Sequence, residues 1–264
     1  VRPQTVLRSR ACSAVPVQDH QKCFPVQQQS GLLPYFITIS NIESTDEKTV
    51  IHGNERVINA RLSDAKFFYE TDCKETLADR LEMLKHVVFQ AKLGTLYEKS
   101  ERIAKLAKFI AEKLTINPEI AERAGMLCKA DLVSSMVNEF PELQGIMGYY
   151  YALNDKEDEQ VALAIRDHYF PQAPVLRSQD LTEYAAAVIL ADRIDTLVGI
   201  FGINQAPTGD KDPFGLRRAA ITILRILIEK KLALNLVELI VQAHKNYQHS
   251  LANKDTDQQV CEFV

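Results

Sequence analysis

ADRIDTLVGIFGINQAPTGDKDPFGLRRAA, from Ala191 to Ala220, decides how the chain is organised. Apolar residues recur at helical spacing on its first side, at Ala187, Ala191, Ile194, Val198 and Phe201. They recur on its second side at Leu216, Ala219, Ala220, Ile223, Leu224, Leu227 and Ile228. Between them, Gly202, Pro207, Gly209, Pro213 and Gly215 mark a sharply turning connection. Such a connection is expected at the surface, where functional groups tend to collect. The stretch reads as helix, loop, helix.

The loop TGDKDPFG (Thr208–Gly215) ends where the second helix begins, with Arg217 and Arg218 in its first turn. A helix dipole favours anions at that end, so paired arginines there point to an anionic partner. An RNA phosphate or a carboxylate on another chain would serve. The local alternative is that Asp210 or Asp212 caps the helix and pairs with the arginines. The sequence leaves both open.

Outward from this centre the pattern is mainly α. From about Ala65 onward, Leu77, Leu81, Leu84 and Val88 form one helical stripe, and Ile103, Leu106, Ala107, Ile110 and Leu114 another. Asn117-Pro118 reads as an N-cap with proline at the first helical position. Asn235 with Glu238 resembles a capping box opening a helix striped by Leu236, Leu239, Ile240, Ala243 and Tyr247. Tyr149, Tyr150 and Tyr151 read as core packing. The beginning is mixed: Cys23–Val26 and Tyr35–Ser40 are strand-like around QQQSGLLP, predicting a hairpin, with a further strand over Lys48–His52. The expected division is 1–70 mixed α/β, 71–205 a helical domain, and 206–264 a helical extension. No solenoid repeat is visible.

With 264 residues and 46% apolar content, the chain can build one large or two ordinary cores. A net charge of −4 does not announce a polyanion partner, but the charge is uneven. Residues 92–113 carry six bases (Lys92, Lys99, Arg102, Lys105, Lys108, Lys113) against three acids, and residues 203–231 again carry six against three. Residues 137–183 hold nine acids and three bases. Such a surface can orient a polyanion; solvated helix faces would produce the same counts.

Cys12, Cys23, Cys73, Cys128 and Cys261 lie far apart with no CxxC, which suits a reducing cytosol and argues against a disulfide framework or a zinc site. No apolar run reaches the roughly 18 residues of a membrane helix. The opening holds Arg2, Arg8 and Arg10 and no acid before Asp19. It mimics a transit peptide, although truncation of a longer chain is the preferred reading. Phosphate-binding GxxxxGK[ST] and GxGxxG motifs and a GxSxG elbow are absent. The six histidines (His20, His52, His86, His168, His244, His249) show no metal-binding spacing and read as structural or surface residues.

Several long words carry a resemblance. DKDPFGLRRAA, ADRIDTLVGIFGI, FPELQGIMGYYYA (Phe140–Ala152), DHQKCFPV (Asp19–Val26), NIES (Asn41–Ser44) and GNERV (Gly53–Val57) resemble, in order, the β subunit of the bacterial-type heterotetrameric glycyl-tRNA synthetase. That subunit is longer, so the chain resembles an internal piece of it, beginning near Asp19. The resemblance implies a cytoplasmic α2β2 enzyme whose α subunit handles ATP and glycine while β recognises tRNA(Gly). This chain is then expected to bind no cofactor, ATP being used by the holoenzyme, and to hold no catalytic residue. Lys99, Lys105, Lys108, Lys211, Arg217 and Arg218 are the expected RNA contacts.

The helical part also resembles the HD phosphohydrolase fold, in which histidines and aspartates hold a metal that generates hydroxide. KSERIAKLA places Lys99 where a histidine belongs; AGMLCKADLV, read as a helix, places Ala130 in the second histidine position and keeps Asp131; ADRID keeps Asp192. An ammonium has three donors and no lone pair, and so repels a metal. The resemblance implies a site without metal, in which Lys99 lies near Asp131 and Asp192 and replaces the metal's charge. The alternatives are an active phosphohydrolase using Asp131 and Asp192, or a structural adaptor.

Overall fold

The computed structural model describes residues 21–28, 31–41, 43–169, 180–247 and 251–264. The arginine-bearing opening, Cys12, His20 and His249 lie outside the described residues. The elements run β1 (Phe24–Gln28), β2 (Gly31–Ile37), α1 (Glu47–Asp72), α2 (Leu81–Leu84), β3 (Val88–Gln90), β4 (Gly94–Thr95), α3 (Leu96–Leu114) and α4 (Pro118–Leu127). After a 3-10 turn (Ala130–Val133) come α5 (Ser135–Glu139), α6 (Ile146–Asn154), α7 (Glu159–Asp167), α8 (Glu183–Gly202), α9 (Leu216–Glu229), α10 (Leu236–Lys245) and α11 (Thr256–Phe263). The class is mainly α.

Helix α8 is the centre because its sequence is apolar nearly all round apart from the polar cluster Asp192, Arg193, Asp195 and Thr196, which leaves burial as the stable solution. Thr182 caps it by accepting from Ala185 N, and residues from Ala185 to Gly202 are buried around its circumference. Helices α3, α4, α7, α9, α10 and α11 all pack against it. The three helices after residue 206 therefore share one core with α8, a single cluster running from Ala65 to Val260.

The α3–α4 pair forms the second contact layer. Thr95 and Glu98 make a reciprocal capping box on α3, and Asn117 caps α4 by accepting from Glu119 N. Where they cross, Gly125 has no room for a side chain: a Cβ would lie 2.8 Å from Ala104 Cα. Asn235 caps α10, accepting from Val237 N and Glu238 N. Glu238 itself reaches Lys113 of α3 at 2.6 Å.

The structure corrects the sequence reading at three places. Lys48–His52 is not a strand; it lies in α1, a 26-residue helix capped by Asp46. The β-branched residues there mislead because α1 needs little burial: Ile58, Ala65 and Tyr69 make a narrow stripe, and Val50, Ile51 and Val57 remain exposed. Val88 does not continue a helix; it opens the short β3–β4 hairpin and is 66% exposed. On α9 the buried face is Leu216, Ala219, Ala220, Ile223 and Ile226, whereas Leu224 and Ile228 face outward. The N-terminal hairpin forms as expected, with Phe24 opposite Ile37. It rests on α1 through Cys23 and Phe36 against Ile58 and Leu62.

Candidate functional site

Asp192, Asp195 and Thr196 occupy positions i, i+3 and i+4 of α8 and therefore share one face. Lys99, in the opening turns of α3, points into that face. Its Nζ lies 3.0 Å from Asp192 Oδ1, 3.0 Å from Asp195 Oδ2 and 2.7 Å from Thr196 Oγ1. The ammonium donates to Asp195 Oδ2, Thr196 Oγ1 and, at 3.5 Å, to Asp192 O, and it pairs with Asp192 Oδ1, so it is saturated. Two further cations complete the centre. Lys129 Nζ reaches Asp192 Oδ2 at 3.0 Å. Arg102 grips Asp195 through Nε at 2.7 Å and stacks over the Tyr247 ring at 4.3 Å.

All five charged side chains are buried. Taking such groups out of water is costly unless they are paired and hydrogen-bonded. Burial alone pushes the Asp192 carboxyl up, but Lys129, Lys99 and Arg193 together hold it well below the usual carboxylate range. Burial lowers the Arg102 guanidinium, and Asp195 together with Tyr247 more than offsets it.

Asp131 is elsewhere. Helix α4 stops at Leu127, so Ala130 and Asp131 lie on the 3-10 turn and not on a core helix. Asp131 Oδ2 accepts from Gly145 N at 2.6 Å and from Gly148 N at 3.2 Å. Gly145 sits at φ +78°, and a Cβ on Gly148 would press on Ile165 and on the Asp131 carboxyl itself. The GIMG of FPELQGIMGYYYA thereby delivers two N–H groups to one carboxylate. Burial pushes Asp131 up to about 6 despite these bonds. The expected partnership of Lys99 with Asp131 is replaced by Lys99 with Asp195.

Asp192 thus carries an ammonium on each oxygen, and a divalent cation there would have to displace both. The residues do not fit a hydrolytic metal. Among the described residues, no three His, Cys, Asp or Glu side chains converge on a candidate metal position.

The sequence-expected RNA residues separate. Lys99 is buried and saturated. Lys105 is exposed on α3; Lys108 pairs with Glu122 at 2.7 Å. Lys211 is exposed in the loop, and Arg218 on the first turn of α9. Asp212 caps that turn, accepting from Leu216 N at 2.8 Å and Arg217 N at 2.9 Å, while Arg217 Nη2 returns to Gly209 O at 2.5 Å. The helix end that suggested a phosphate cradle already holds its own carboxylate.

Lys129, Arg102, Asp195 and His168 were not singled out from the sequence. The i, i+3 carboxylates of ADRID on an apolar helix carried the available signal: two buried acids require more than one cation.

A helical chain with this centre and no hydrolytic donor set falls, by comparison with known proteins, among aminoacyl-tRNA synthetase components. The family model of the glycyl-tRNA synthetase beta subunit matches residues 10–264. The chain belongs to that family. It is 55% identical over 248 residues to the glycine–tRNA ligase beta subunit of Coxiella burnetii (strain Dugway 5J108-111), covering 93% of this chain and 36% of the relative. The beta subunit of Colwellia psychrerythraea is 53% identical over 251 residues, 94% of this chain and 36% of the relative. That of Pseudomonas putida (strain GB-1) is 51% identical over 250 residues, with the same 94% and 36%. The chain spans about a third of the length of these relatives. The family match begins at residue 10, earlier than the Asp19 suggested by the sequence words. Among the described residues, no helix is long and apolar enough to cross a membrane.

Proposed function

We propose that this chain is the part of a glycine–tRNA ligase β subunit that contacts tRNA(Gly), in a cytoplasmic α2β2 enzyme whose α subunit performs the ATP-dependent adenylation. Membership of the family carries the reading. It is supported by the charge pattern: Lys105, Lys211 and Arg218 are exposed, whereas the cations that could have served a hydrolytic pocket are consumed internally.

On this reading the helical part is a degenerate HD-type domain kept as scaffold. The ammonium of Lys99 and that of Lys129 stand where a metal's charge would be needed, so the acidic pair on α8 is neutralised permanently. The domain binds no cofactor of its own, and ATP is used by the whole enzyme.

A salt titration of tRNA(Gly) binding to the full-length polypeptide tests the reading. Phosphate contacts release counterions, so log K should fall linearly with log salt by roughly 0.9 per phosphate neutralised. Lys105→Glu, Lys211→Glu and Arg218→Glu should each reduce that slope by about one unit. Binding with no salt dependence removes the proposal.

A further inference from the structure

The β1–β2 hairpin and the opening turns of α1 have almost no interior of their own. The main core begins at Ala65. The cluster that joins the hairpin to α1 holds two buried residues, Cys23 and Ile58, with Phe36 and Leu62 partly buried against them. Ordering a chain costs conformational entropy at every residue, and burying two side chains does not offset that cost for a hairpin and several helical turns. A two-stranded hairpin is marginal in water unless further strands or a well-packed helix complete it.

The hairpin has two faces, and α1 uses one. Side chains alternate across a strand, so Phe36 turns toward α1 while Tyr35 and Ile37 turn away. Phe24 sits opposite Ile37 in the ladder and joins them. Phe24 is 52% exposed and Tyr35 67%; Ile37 and, two residues further along, Ile39 are exposed as well. Among the described residues each of the two strands has a single partner, which leaves both outer edges without a ladder. Edges of this kind are normally blunted by charges, above all lysines. Here no charged residue occurs between Lys22 and Glu43. Pro25 and Pro34 each remove one donor, and the other residues of the two strands keep theirs.

We infer that this face is the docking place for polypeptide of the same β subunit lying outside the present stretch, which adds a strand to the hairpin and covers Phe24, Tyr35, Ile37 and Ile39. Three observations select that occupant. Only 36% of each relative is covered here, so most of such a subunit is at hand. The face is apolar and without charge, the composition of a permanently covered surface; separable partners keep a polar rim. An open edge of this length would pair with other chains before a separate subunit arrived, whereas a tethered segment acts at high effective concentration and closes it first. Main-chain hydrogen bonds would hold the added strand, and its alternate side chains would meet the exposed ones. This assignment stands whether or not the chain contacts tRNA.

The test is amide hydrogen exchange of Phe24–Gln28 and Gly31–Ile37 in the full-length β subunit alone. Protection of outward-facing as well as ladder amides is expected, independent of protein concentration, α subunit and tRNA(Gly). Tyr35→Asp and Ile37→Asp should each accelerate that exchange by about tenfold or more, and Tyr35→Phe should leave it unchanged. Protection that appears only with the α subunit, only with tRNA(Gly), or only at high β concentration overturns the intrachain assignment in favour of that occupant. Fast exchange of the outward-facing amides in every state overturns the docking surface itself, and so do aspartate variants that fold with unaltered exchange. If those variants fail to fold, the exchange of the unaltered subunit decides alone.

Discussion

Lys129 Nζ lies 3.0 Å from His168 Nε2, and this contact fixes the protonation of the imidazole. His168 Nδ1 is 2.6 Å from Ile165 O; a carbonyl can only accept, so Nδ1 carries the hydrogen and Nε2 offers its lone pair to the ammonium. Burial, then the Lys129 charge, lowers the His168 pKa well below 6.5. Because the folded value is depressed, the unfolded chain binds the proton more tightly. Stability from this group is present above about 6.5 and falls on acidification by about 1.4 kcal/mol per pH unit. The expected outcome is an imidazole resonance that does not titrate in the folded protein between pH 7 and 5.5. A His168 that titrates normally near 6.5 contradicts the geometry.

The two ammonium groups on Asp192 are not equivalent. Lys99 also serves Asp195, whereas Lys129 also serves a neutral imidazole. Breaking a buried pair from one side costs about 3–5 kcal/mol, because the remaining charge is left uncompensated. Lys99→Met is therefore expected at the upper end of that range and Lys129→Met nearer the lower. Urea denaturation of both variants measures the order, and a Lys129→Met protein less stable than Lys99→Met would reverse the assignment of the larger role.

How far the sequence discloses this centre can be read from the same residues. Helix α8 was legible because Ala187, Ala191, Ile194, Val198 and Phe201 recur at helical spacing before the Gly/Pro loop. The pairing of Lys99 with Asp192 was legible as a charge problem. Lys129 was not, since it sits beside Ala130 at the end of α4, and whether a residue there continues a helix or turns decides where its side chain points. Asp131 was misplaced for the same reason: the 3-10 turn sends it to Gly145 and Gly148. The first part of helix α1, before Ala65, was missed because it presents no broad apolar face: Val50, Ile51 and Val57 remain exposed. Which lysines are available to a partner stayed beyond reach of the sequence, since lysines look alike until the fold separates the saturated Lys99 from the exposed Lys105.

Asp131 gives a prediction of opposite sign to His168. Its folded pKa is raised from 3.8 to about 6 by burial, so its contribution to stability is fully present below the unfolded value and is lost as pH rises through about 6. Ionisation then costs about 3 kcal/mol by pH 8. Asp131→Asn keeps an oxygen for Gly145 N and Gly148 N but cannot ionise. The stability of Asp131→Asn relative to the unaltered protein should rise between pH 4 and pH 8. Asp131→Ala, which strands both N–H groups, should destabilise by about 2–5 kcal/mol. A pH-independent difference for the asparagine variant rules out the raised pKa.

Two glycines in helices separate packing from propensity. At Gly125 an added Cβ meets Ala104 Cα at 2.8 Å and Ala104 N at 3.0 Å, both backbone atoms of α3 that cannot rotate away. Gly125→Ala is expected to force α3 and α4 apart at a cost of about 1–3 kcal/mol, the range for overpacked sites. At Gly53, inside α1, nothing lies within 4 Å of the same position. Gly53→Ala should stabilise by up to about 1 kcal/mol, because the unfolded chain loses freedom and the helix gains a better former. For a domain of this size each kcal/mol moves the melting temperature by about 2–4 °C. Scanning calorimetry of the two variants should therefore show shifts of opposite sign, and a rise for Gly125→Ala would mean that the α3–α4 crossing is looser than the structure places it.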